Sequence, residues 1–167
     1  MARHSRKFTI APEMRANGGV FALRTPADML AKLRHDYQRL KTNPVDSYAA
    51  WDFFVTAFHM RDWTQVRPRH SSEKKLLRVC AQIANGSKHF DLGRHSVKAT
   101  EYQQGVFDPQ VFDPYVFDVG RLLIHLEGDA ATVLGDSLDA VTLARKVLDY
   151  WESKLPASHK TVATSRA

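Results

Sequence analysis

Cysteine is almost absent from this chain: Cys80 is the one thiol in 167 residues. No disulfide can form within the chain, so a reducing, cytoplasmic setting is expected. The neighbours of Cys80 are apolar and no base flanks it, so it reads as a small core residue rather than a reactive thiol. Long apolar runs are absent too. No stretch approaches the ~20 residues of a membrane span, and the basic N-terminus lacks the apolar segment of a secretion signal. Association with a membrane is therefore not expected. The sequence has no HExxH, no cysteine pair, no glycine-rich phosphate loop and no nucleophile elbow. Neither a metal nor a cofactor is expected, and nucleotide hydrolysis and serine-hydrolase chemistry have no support.

Positive charge, by contrast, is in excess. Lys and Arg number 24 against 18 Asp and Glu, a formal net charge of +6. That balance favours acidic partners, RNA among them. The length suits one domain whose core can hold it together without cross-links. Residues 1–24 read as a basic arm, with Arg3, Arg6 and Lys7 ahead of a pattern-breaking Asn17-Gly18-Gly19. Residues 25–156 read as a single helical domain, and 157–167 as a flexible polar tail.

Within the domain, helix punctuation recurs. Thr25-Pro26-Ala27-Asp28 supplies a cap, a first-turn proline and an acid, and Met29, Leu30, Leu33, Tyr37 and Leu40 follow at helical spacing. Asn43-Pro44-Val45-Asp46 repeats that grammar. The second helix is expected to turn Tyr48, Trp51, Phe54, Val55 and Phe58 to the core, with Asp52 and His59 on one edge of that face. After a turn at Arg67-Pro68-Arg69-His70, Ser71 or Ser72 is expected to cap a third helix, antiparallel to the second. Beyond Val97 the period changes. VFDPQVFDPYVFD repeats Val-Phe-Asp every five residues, and its prolines exclude a central strand. Phe107, Phe112 and Phe117 are expected to pack on the bundle or on a second copy of the chain. Residues 116–126 read as a strand, 130–134 are ambiguous, and Asp136-Ser137-Leu138-Asp139 is expected to open the last helix. The fold class is mainly α: a bundle of about four helices with a β-hairpin, within about 100–128, inserted before the last.

The candidate site lies on the third helix. In LLRVCAQIANGSKHFDL, Leu76, Leu77, Cys80, Ile83 and Ala84 form one face at 100° per residue, and Arg78, Gln82, Asn85 and His89 form a stripe opposite. This requires the helix to run through Gly86, which weakens it by roughly 1 kcal/mol relative to Ala. Arg78, Gln82 and Lys88, with His59 and Asp52 from the second helix, are the candidate binding residues. His59 and Asp62 could approach a ligand from one helix face, but nothing around them completes a metal set.

The order of elements, an aromatic helix AAWDFFVTAFHMRDW, a helix ANGSKHF, a β excursion and a closing LDYWE helix, resembles the HEPN superfamily. These are small all-helical proteins, some of them RNases of prokaryotic toxin and phage-defence systems. The resemblance covers about residues 25–155. Its nucleolytic members carry Arg, a polar residue and then His. His89 matches that histidine and Asn85 the polar residue, which makes these two the candidate catalytic pair, while Ala84 stands where the arginine would be. Arg78 lies eleven residues before His89, ~16 Å along a helix at ~1.5 Å per residue. The resemblance implies an accessory protein that binds RNA or a protein partner as a homodimer. An alternative is a metal-independent RNase, in which His89 takes the 2′-hydroxyl proton and Lys88, or Arg78 of a second copy, offsets the phosphorane charge. Another is a non-enzymatic assembly protein that docks through its VFDP segment.

Overall fold

The computed structural model describes residues 21, 23–89, 96–109, 111–112 and 116–155, the side chains of Ser87 and His89 excepted. Nearly all of the basic arm and the whole 157–167 tail lie outside the described residues. Helices α1 (Pro26–Thr42), α2 (Ser47–Thr64) and α3 (Ser71–His89) are followed by β1 (Val97–Gln103), β2 (Arg121–Leu126), a short α4 (Gly128–Leu134), β3 (Ser137–Asp139) and α5 (Ala140–Lys154). The fold is mainly helical, with a small antiparallel sheet inserted before the last helix, ordered β1-β2-β3.

Local chemistry sets most of the boundaries. Thr25 and Asp28 form a reciprocal cap: the Asp28 N–H donates to Thr25 Oγ1 at 3.2 Å and the Thr25 N–H to Asp28 Oδ2 at 2.8 Å. Asn43 does not start α2. Its N–H donates to the Arg39 carbonyl and closes α1, and Asp46 is the cap, accepting from the Tyr48 and Ala49 N–H groups at 2.9 and 3.0 Å. Pro44 and Val45 form the turn between them, so the residue three places on meets the free N–H groups of α2. Gln65 ends α2 in the left-handed region, at φ 53. Neither serine caps α3, because both lie inside it. Glu73 instead reaches back to accept from the Arg69 and His70 N–H groups at 2.7 and 3.1 Å.

The opening of the last helix differs from expectation. Ser137–Asp139 pair with Leu123, Ile124 and His125 as a third strand. Pairing satisfies the backbone edge that β2 would otherwise expose. Asp139 alone acts on α5, its carboxylate accepting from the Thr142 N–H at 2.9 Å. The expected strand from residue 116 begins only at Arg121, and the ambiguous stretch 130–134 falls in α4.

The core confirms the face expected of α1 and corrects part of the one expected of α2. Met29, Leu30, Leu33, Tyr37 and Leu40 are buried, as are Val141, Leu148 and Trp151 of α5. On α2, Phe54 faces inward as expected, but it does so with Ala49, Phe53, Ala57 and Met60, while Tyr48 is 80% exposed and Trp51 47%. Helix α2 is apolar on both sides, so spacing could not choose between them. Small alanines let α2 approach its neighbours closely, and the phenol and indole of Tyr48 and Trp51 keep a polar edge in water. The last helix packs against α1, α2 and α3 and against β2 and β3, which makes it the common wall of the core.

Candidate functional site

Helix α3 runs unbroken through Gly86 to His89, so Arg78, Asn85 and the His89 backbone share one helix. Seven residues separate Arg78 from Asn85, about 20° short of two full turns at ~100° each, so both project from one side. Both are exposed, and so is Lys88. The His89 side chain lies outside the described residues. Gln82 leaves the expected stripe: its Oε1 accepts from the Ser96 and Val97 N–H groups at 2.9 and 3.0 Å. An amide oxygen so placed anchors the start of β1 to α3 and is occupied by backbone.

The candidates on α2 are likewise bonded within the chain. Asp52 accepts from Arg39 Nη1 at 2.5 Å and ties α1 to α2. His59 Nδ1 lies 3.2 Å from Asp62 Oδ2 on the same helix. Asp52 and His59 thus each have a partner within the chain, Arg39 and Asp62. Among the described residues no group of three His, Cys, Asp or Glu side chains could hold a metal ion.

Arg78 does belong to a concave site, at the other end of α3 from Asn85. A groove of about 340 Å³ opens between the end of α2 and the start of α3, lined by Phe58, Arg61, Lys74, Leu77, Arg78 and Trp151 among others. A wider hollow of about 790 Å³ adjoins it, sharing Arg61, Pro68 and Lys74 and adding Asp62, Gln65 and Arg67. The α2–α3 turn makes this site. The left-handed Gln65 ends α2, the 65–70 connection carries Arg67 and Pro68 across, and α3 returns antiparallel with Lys74 and Arg78 one turn apart.

Electrostatics separate this groove from the rest of the surface. Among the described residues, Arg67, Lys74 and Arg78 are in no ion pair, and Arg61 rests on the Phe58 ring, its Cζ 5.8 Å from the centroid. The nearby acids are engaged elsewhere. Asp62 faces His59, and Glu73 accepts from Lys154 Nζ at 2.9 Å as well as from the helix start. Those three donors hold the Glu73 carboxyl well below its ordinary range, at about 2. On the apolar floor Trp151 is 1% exposed, yet its Nε1 has no hydrogen-bond partner in the chain. Unpaired cations around a hollow suit a ligand that brings oxygen acceptors and negative charge. Cys80 also lines the groove, but burial pushes its thiol up to about 12 and Sγ contacts the Phe54 carbonyl at 3.6 Å, so it offers no nucleophile.

Protein-family models, curated proteins and solved structures yield no match to this chain.

Of the residues expected from sequence to bind, Arg78 alone lines this groove. Arg61, Arg67, Lys74 and Trp151 were not anticipated. Residues 61–78 carry six Lys and Arg against two acids, a local excess legible in the sequence. Which of them converge depended on the angle at which α3 returns along α2.

A second concavity, of about 360 Å³, lies at the opposite end of α2. Ser47, Ala50, Trp51 and Phe54 face Tyr102, Leu122 and Ile124 of the sheet across it. Its lining is mostly apolar, and its carboxylate, Glu101, is paired with His125 Nε2 at 2.9 Å.

Proposed function

We propose that this chain is a HEPN-like accessory protein that binds RNA through the groove between α2 and α3. The observation that carries the reading is the gathering of Arg61, Arg67, Lys74 and Arg78 around two adjoining hollows that share Arg61 and Lys74, with no carboxylate neutralising Arg67, Lys74 or Arg78 among the described residues. Arg is suited to bidentate contact with phosphate oxygens, and Lys to point-charge contact. Phe58 and Trp151 supply an apolar floor. Binding dominated by phosphate contacts is steep in salt and tolerant of sequence.

Binding without cleavage fits these residues better than catalysis. Arg78 and His89 lie ~16 Å apart along a continuous helix, so one scissile phosphate does not touch both within a chain. Titration of a labelled RNA at several salt concentrations, read by fluorescence anisotropy, tests the proposal. Lys74→Glu/Arg78→Glu is expected to weaken binding by tenfold or more, about 1.4 kcal/mol or above, and to flatten the salt dependence. Arg145→Glu, on the far side of α5, is the control and should behave as the unaltered chain does. Equal affinity of both variants for RNA would remove the groove from the reading.

A further inference from the structure

The described phenylalanines of the segment between β1 and β2 pack on one another. The five-residue repeat becomes a knot of three rings, with Phe107–Phe112, Phe107–Phe117 and Phe112–Phe117 centroids 4.8, 5.2 and 5.0 Å apart. The two ends of the segment are fastened. The Val106 and Phe107 N–H groups both donate to the Asp118 carbonyl, at 2.8 and 3.0 Å. Gly105 sits so close to the returning strand that a Cβ there would lie 2.1 Å from the Val119 carbonyl carbon. The rings are only partly covered, Phe107 and Phe117 at 38% exposed each, and the residue before each phenylalanine is more open still: Val106, Val111 and Val116 are 79%, 73% and 73% exposed. Asp108 and Asp118 are exposed beside them. Residues 104–120 hold three Asp and no Lys, Arg or His.

A tip held in shape by its own small core, yet showing three valines to solvent, has the character of a docking surface. Its occupant should be concave, apolar at the floor and cationic at the rim. The α2–α3 groove of the same chain has those properties, with Phe58, Leu77 and Trp151 below and Arg61, Arg67, Lys74 and Arg78 around. We propose that the tip of one copy seats in the α2–α3 groove of a second copy, valines on the floor and Asp118 against the rim. A two-fold pair makes this contact twice and closes as a dimer. The contact uses the groove assigned above to RNA but does not depend on RNA binding there. If both hold, RNA and the tip compete.

Sedimentation of the full chain across a concentration series tests this contact. Two variants are compared with the unaltered chain: Val106→Ser/Val111→Ser/Val116→Ser at the tip, and Lys74→Glu/Arg78→Glu at the groove. All the substituted side chains are solvent-exposed, so folding should survive, as checked by circular dichroism. The unaltered chain should self-associate, more weakly as salt rises, and each variant alone should lose at least tenfold in association. Mixing the two variants should restore a one-to-one complex, because one keeps its groove and the other its tip. A monomer at every concentration overturns the proposal. So does association that neither variant weakens, or a mixture that stays monomeric. RNA binding by the tip variant reports on the preceding proposal alone, so the two can fail separately.

Discussion

Cations on the α1–α5 side of the molecule and cations at the α2–α3 turn have different surroundings. On the first side four are spent on structure: Lys32 on Asp36, Arg34 on Glu152, Arg39 on Asp52 and Arg145 on Asp149. At the turn, Arg67, Lys74 and Arg78 have no such partner among the described residues, and the acids beside them are committed to His59, Lys154 and the start of α3. Paired charge links elements and presents little field to solvent. Unpaired charge around a hollow leaves its field for a ligand.

The contrast can be broken at several points. The largest effect is expected on α2, where the same helix has a structural and an open side. Phe53→Ala should lower unfolding stability by about 4 kcal/mol, while Tyr48→Ala should change it by less than ~0.5 kcal/mol, both measured by urea denaturation. A reversed ranking would return the core to the face that spacing alone suggested. Next comes the buried acid. Asp36 is 2% exposed and accepts from Lys32 Nζ and Thr56 Oγ1 at 2.5 and 2.7 Å. Asp36→Ala leaves both donors without their acceptor and should cost about 3 kcal/mol, whereas Lys74→Ala/Arg78→Ala should leave the denaturation midpoint nearly unchanged.

Acid titration sharpens the comparison further. The Glu73 carboxyl is depressed from 4.5 to about 2, first by Lys154 and then by the His70 and Arg69 N–H groups. A depressed carboxyl stabilises the fold fully above its unfolded value, and that contribution is lost as pH falls from 4.5 through about 2. Thermal melts should therefore lose midpoint across this window, and Glu73→Gln should show a shallower fall there. At the small end, Arg145→Ala removes an exposed pair and should shift stability by ~0.5 kcal/mol or less. Cys80 should resist a maleimide in the folded chain and react on unfolding. Labelling of the native protein would contradict its burial beside Phe54.

Much of the fold was legible before any coordinates. Capping by Thr25, the first-turn proline and the Met29–Leu40 stripe are contacts within a few residues, and local pattern reports such contacts well. The face of α2 was not legible, because Tyr48, Trp51, Val55 and Phe58 recur at the same helical period as Ala49, Phe53, Ala57 and Met60. The cap of α2 fell to Asp46 rather than Asn43 because the carbonyls ending α1 claimed Asn43. Gln82 illustrates the limit for the site. It lies on the stripe by angle, yet β1 returns alongside α3 and takes its amide oxygen.

The chain by itself determined that a mainly helical body with an inserted β excursion would form and that Cys80 would lie in the core. Periodicity, caps and composition act over short stretches of chain, and those properties follow from them. Tertiary structure decided which Lys and Arg were neutralised, which side of α2 met water, and that the repeated phenylalanines would close on one another. Each of those outcomes depends on what a distant segment brings to the contact. Neither burial nor ion pairing is assigned to a residue until its neighbour across the fold is in place.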